Sequence, residues 1–79
     1  MKRLRNNPSL SSGNPWIALA SLFGIPVCEN AQEFEHQMLK IREPVIFEAG
    51  GRGCLSREVQ DVLEAIQQKS DYVYVIWDR

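Results

Sequence analysis

Apolar residues along the chain gather into short blocks whose spacing separates helices from strands. Residues 16–23 are nearly unbroken: Trp16, Ile17, Ala18, Leu19, Ala20, Leu22 and Phe23, interrupted by Ser21 alone. Asn14 offers a side-chain cap, and Pro15 fits the first helical position, where its missing N–H costs nothing. Gly24, followed by Ile25 and Pro26, supplies a left-handed stop. The block predicts a helix over 15–23, apolar all round and so buried on more than one side. Next, Asn30 and Glu33 read as a capping box, and Ala31, Phe34, Met38 and Ile41 recur at helical steps. That predicts a helix over 31–41, closed before Pro44, with Glu33, Glu35, Gln37 and Lys40 wet and His36 off the stripe as a surface histidine. A third helix is predicted over 57–69. Ser56 caps it, Val59, Val62, Leu63 and Ile66 form its stripe, and Glu58, Asp61 and Lys69 suit its dipole.

Period-two blocks mark the strands. Val45-Ile46-Phe47-Glu48-Ala49 lies between Pro44 and Gly50-Gly51, with Glu48 sharing the parity of Ile46 against Val45, Phe47 and Ala49. Tyr72-Val73-Tyr74-Val75-Ile76-Trp77 is the strongest strand, apolar at every position and expected to need cover on both faces. Ile25–Cys28 is extended, as a strand or a turn. Strand, helix, strand over 45–77 makes a βαβ unit, so the two strands should be parallel and their crossover right-handed. The predicted fold is a small single α/β domain over 14–79, in the order α-(β)-α-β-α-β with a short parallel sheet. Residues 1–13, rich in turn formers and without apolar period, read as a flexible basic arm. If Ile25–Cys28 pairs, the last two helices share one sheet face and the first helix is left to cover the other.

Charge refines this picture. The net charge of −1 combines Lys2, Arg3 and Arg5, with no acid near them, and a body in which ten acids outnumber the remaining six basic residues. Phosphate binding needs a clustered basic face, so nucleic acid is disfavoured as a partner, with weak binding through the basic arm the third reading. Two cysteines, Cys28 and Cys54, and one histidine fall short of the four ligands of a structural zinc site, and no metal or cofactor is expected. Reduced thiols in a cytoplasmic protein fit this low cysteine density better than a disulfide scaffold. Lys2–Arg5 ahead of the apolar block imitates a signal peptide, but turn residues separate the two and Pro26-Val27 is a poor cleavage site. No apolar run approaches the ~20 residues of a membrane span.

One loop carries candidate chemistry. Gly50-Gly51-Arg52-Gly53-Cys54-Leu55-Ser56 joins a strand to a helix N-terminus, where ligands of open α/β sheets collect. Gly51, Arg52 and Gly53 are the anion-binding candidates, through close backbone approach and a bidentate guanidinium. Cys54, near Arg52 and Arg57 before a helix, is the one catalytic candidate, as a thiolate. A turn that merely reverses the chain explains the same string: GGRGC contains neither a phosphate-loop nor a dinucleotide fingerprint. No general base can be placed beside Cys54, and Leu55 next to it favours burial of the thiol as a small hydrophobe. Glu48 reads as the structural partner of Arg52. A helix followed by EPVIFEAGGRGCLSREVQDVLEAI and DYVYVIWD resembles the first half of a glutaredoxin or thioredoxin-like domain, where a strand leads to a cysteine at a helix start. The resemblance spans roughly the C-terminal half of the chain and implies a role for Cys54 alone. The CxxC and CGFS spacings and the second half with its cis-proline are missing from the string.

A chain this short supplies only a few kcal/mol of net core stability, and excess apolar surface then calls for a partner. The leading expectation is a small cytoplasmic protein-binding module, a regulator or adaptor, self-associating or bound to another protein. Its anchors would be Trp16, Phe23, Tyr74 and Trp77. The alternative is a thiol or anion site at Gly50–Ser56, and catalysis is the less favoured class.

Overall fold

The computed structural model describes residues 1–6 and 14–78. Along the chain they form β1 (Lys2–Arg5), α1 (Pro15–Phe23), α2 (Ala31–Met38), β2 (Val45–Gly51), a 3-10 turn (Arg52–Cys54), α3 (Arg57–Lys69) and β3 (Val73–Asp78). Each helix starts where its cap residue dictates. The Asn14 side chain accepts from Trp16 N–H at 2.9 Å, Asn30 from Glu33 N–H at 2.8 Å and Ser56 from Val59 N–H at 3.3 Å. Glu33 reaches back past the cap and accepts from Glu29 N–H, one residue ahead of the donor a capping box would use. Gly24 ends α1 at φ 70°, in the left-handed region that a side chain disfavours. α2 stops at Met38 rather than 41, because the chain tightens into a turn there, with Ile41 N–H bonded to Met38 O. Ile41 still packs on the core.

The sheet is fully parallel, in the order β1-β2-β3. Phe47 aligns with Val75 as the βαβ reading requires, and Leu4 aligns with Phe47 on the other side. One expectation is corrected here and one open alternative is decided. Residues 2–5, expected within a flexible arm, are an edge strand: Lys2 N–H donates to Pro44 O and Asn6 N–H to Glu48 O. The rest of the expected arm, residues 7–13, lies outside the described residues. Ile25–Cys28 is not a strand but an extended connection between α1 and α2, so the sheet's third member comes from the N-terminus instead.

That exchange relocates α1. With β1 ahead of it, α1 belongs to a crossover, as α3 does. Sequentially ordered parallel strands joined by right-handed crossovers receive every helix on one face. Accordingly α1 does not cover the second face. Its Phe23 ring packs on Phe47 at 5.2 Å between centroids and on α2's Phe34 at 6.0 Å, while Trp16 meets Phe34 at 5.5 Å. Phe34 and Phe47, fully buried, centre a core completed by Met38, Val45, Ala49, Val59, Leu63, Ile66, Val73 and Val75. The result is two layers, one of helices and one of sheet, and the thinnest dimension is 19 Å. The strand expected over 72–77 with cover on both faces runs over Val73–Asp78 and, among the described residues, is covered on one.

One outward N–H of β3 is met from α3, whose Gln67 side-chain oxygen accepts from Val75 N–H. β1 forms the other edge and carries Lys2, Arg3 and Arg5, charges that discourage further strand pairing. The Lys2 ammonium sits by the C-terminal end of α1, 3.9 Å from where a Cβ on Gly24 would stand, as the helix dipole favours. Among the described residues no helix is long and apolar enough to cross a membrane.

Candidate functional site

The loop after β2 is built to hold itself. A register irregularity between Glu48 and Gly50, with Gly50 at φ 84°, shifts the end of β2 against β3, where Gly50 and Gly51 still pair with Trp77 and Asp78 before the 3-10 turn begins. Gln60 on α3 donates to Arg52 O at 2.6 Å and Leu55 O at 3.0 Å, tying the turn to the helix it precedes. The Arg52 guanidinium bonds Glu64 at 2.7 Å and lies over the Trp77 ring at 4.8 Å. Arg57 pairs with Asp61 along the same helix at 3.3 Å.

These contacts place the loop candidates. Gly51, Arg52 and Gly53 are together, but the charge of Arg52 is already met by a carboxylate and an aromatic face. An incoming anion would face Glu64 as well as Arg52. Glu48, expected beside Arg52, instead pairs with Arg5 across β1 and β2 at 3.5 Å. Burial of Cys54 is overturned: its thiol is exposed and free, because the 3-10 turn lifts it off the core before α3 begins. Cys28 is the buried thiol. It donates to Pro26 O at 3.2 Å, and burial, with the Glu33 carboxylate second, pushes it above its ordinary pKa of 9.0. No group of three metal-binding side chains gathers among the described residues.

A second neighbourhood emerges on the sheet itself. Residues on the uncovered face align in rows: Arg3, Ile46 and Tyr74, then Arg5, Glu48 and Ile76, with Asp78 beyond. Tyr74 is 59% exposed, whereas Ile46 and Ile76 are half-buried. A hollow of about 330 Å³ at the carboxyl ends of the strands is lined by Arg5, Asn6, Glu48, Gly50, Ile76 and Asp78. The Asn6 amide donates to Ala49 O at 3.1 Å and fixes the exit from β1 beside it.

The four anchor candidates separate by parity and burial. Trp16 and Phe23 are 6% and 5% exposed, their rings spent on Phe34 and Phe47. Trp77 is half-buried on the helix-covered side under Arg52, and Tyr74 alone presents an open ring. The reading from sequence missed Arg3, Arg5, Ile46 and Ile76 as face residues. A signal was present for part of it: in Tyr72-Val73-Tyr74-Val75 the valines share one parity and the hydroxyl-bearing rings the other. Comparison with family models, curated proteins and solved structures found no match to this chain.

Proposed function

We propose that this chain is a small, non-catalytic, protein-binding module, a cytoplasmic regulator or adaptor, that works through the uncovered face of its sheet. One observation carries the reading: a fully parallel sheet that, among the described residues, has helices on one side and an open tyrosine on the other. Parallel sheets are almost always covered on both faces, because their strands are apolar on both. Ile46, Ile76 and Tyr74 are the apolar surface that such cover would remove from water. The free thiols, Cys28 and Cys54, agree with a reducing compartment.

Photo-crosslinking tests the reading. A benzophenone amino acid at position 74 keeps an aromatic ring on the face, and the same residue at exposed position 61 on α3 serves as reference. Irradiation in native extract should give discrete protein adducts from position 74 that position 61 does not give. The same adducts from both positions, or none from 74, would refute it.

A further inference from the structure

Resting on that reading, the charge layout of the face identifies what covers it. The face has a cationic column on β1, Arg3 and Arg5, and an aromatic, apolar and acidic column on β3, Tyr74, Ile76 and Asp78. Between them stand Ile46 and Glu48, the latter already paired with Arg5. Such a face is complementary to itself under one rotation. A two-fold axis running along the strands lays β1 of one copy over β3 of the other, at the same level. Arg3 then meets the ring of Tyr74 in the second copy, a cation–π pairing, and on the axis Ile46 meets its own counterpart while the two Glu48 carboxylates, brought together beside it, are each neutralised by the Arg5 of their own sheet. Arg5 comes over Ile76 with Asp78 one side chain further along, within reach of a long guanidinium side chain. The alternative axis, across the strands, sets Arg3 and Arg5 against the same two arginines and is repulsive.

We infer that a second copy of this chain docks on the uncovered face about an axis parallel to the strands, with Arg3 of each copy on Tyr74 of the other. The contact is small. Three strands ~4.8 Å apart, showing about five residues each at ~3.3 Å, offer roughly 240 Å² of plan area per chain. Two such faces stay below the ~1,200 Å² of a stable specific interface, so the pairing is weak and concentration-dependent.

Sedimentation equilibrium of the full chain from about 10 µM to about 1 mM reads it directly, because pairing of this strength belongs to that range. The average mass should rise from 9.0 kDa towards twice that value. Tyr74→Arg places cation on cation and should weaken pairing at least about tenfold, and adding Arg3→Glu converts the contact into an ion pair and should restore it to within about threefold. Both positions are exposed, so far-ultraviolet circular dichroism should be unchanged in each variant. A wild type that stays monomeric to the highest concentration overturns the second copy as occupant. So does a Tyr74→Arg variant that pairs like wild type, or a double variant that fails to recover. Crosslinks from position 74 to a different protein would leave the binding-module reading standing while this proposal fell.

Discussion

Proline at position 4, compared with proline at position 3, tests the strand that carries the exposed arginines. Lys2 N–H donates to Pro44 O and Asn6 N–H to Glu48 O, so the alternation directs Leu4 N–H to the carbonyl of Ile46 between them. The N–H of Arg3 points the other way, off the sheet edge. Leu4→Pro deletes an inward donor and strands the Ile46 carbonyl, at a cost of ~1–3 kcal/mol. It also removes a half-buried leucine packed on the core, worth about 1 kcal/mol. The sum is about 3 kcal/mol, a large share of the ~4–12 kcal/mol available to a domain of 79 residues. Arg3→Pro removes only an outward donor, a position where edge strands accept proline, and should cost less than about 1 kcal/mol. Urea unfolding followed by tryptophan emission and by circular dichroism gives both values. A Leu4→Pro variant within about 0.5 kcal/mol of wild type, or equal losses in the two variants, would refute β1 as a paired strand.

Phe34→Ala empties the centre of the aromatic cluster shared by Trp16 and Phe23 and should cost about 3–5 kcal/mol, measured as a lowered urea midpoint. Iodoacetamide should label exposed Cys54 in the native protein and leave Cys28 until unfolding, read residue by residue by mass spectrometry. Because burial raises the Cys28 pKa above 9.0, its contribution is complete below pH 9.0 and lost as the pH rises through the raised folded value. Stability should therefore decline in alkali, and Cys28→Ala should flatten that decline in pH-dependent melts. Gln67→Ala frees the Val75 N–H at the β3 edge and should cost about 1 kcal/mol, with concentration-dependent light scattering as the edge becomes available for pairing.

What was legible in the sequence was whatever a local rule decides. Asn14, Asn30 and Ser56 start their helices as their side chains require, Gly24 stops α1, and the Phe47–Val75 register follows from a βαβ unit. β1 was illegible because Lys2-Arg3-Leu4-Arg5 has one apolar residue, and one is all that an edge strand with a single neighbour needs to bury. Its pairing is encoded in β2, whose even-numbered backbone groups lacked a partner until the N-terminus supplied one. Every error about layers descends from that strand. With β1 unseen, α1 looked like an element outside the winding, free to cross to the far face. The all-apolar run over 15–23 points to a helix buried on more than one side, yet Ile17 is 46% exposed and the other apolar residues serve one core shared with α2. At the loop, the identities of Gly51, Arg52 and Cys54 were plain, but the partners that decide their chemistry, Glu64, Gln60 and Trp77, come from turns of helix and strand further along the chain.

The uncovered face follows from the winding and not from any shortage of apolar residues. In a doubly wound sheet the strand order reverses, and the reversal sends later helices to the opposite side; ligands gather at that switch point. Here the order runs β1, β2, β3 without reversal, so the crossovers accumulate on one face. A further βα unit added in the same direction would widen the sheet and lengthen the helical layer, leaving the other face as bare as before. Longer hydrophobic helices would not help either, since handedness and not composition assigns their side. Within this winding no further helix of the same series would reach Ile46, Tyr74 and Ile76, which is why the proposed occupant is a second molecule meeting the sheet face to face. In the proposed pairing, the cations of β1 at one edge and Asp78 of β3 at the other set which way round that molecule sits.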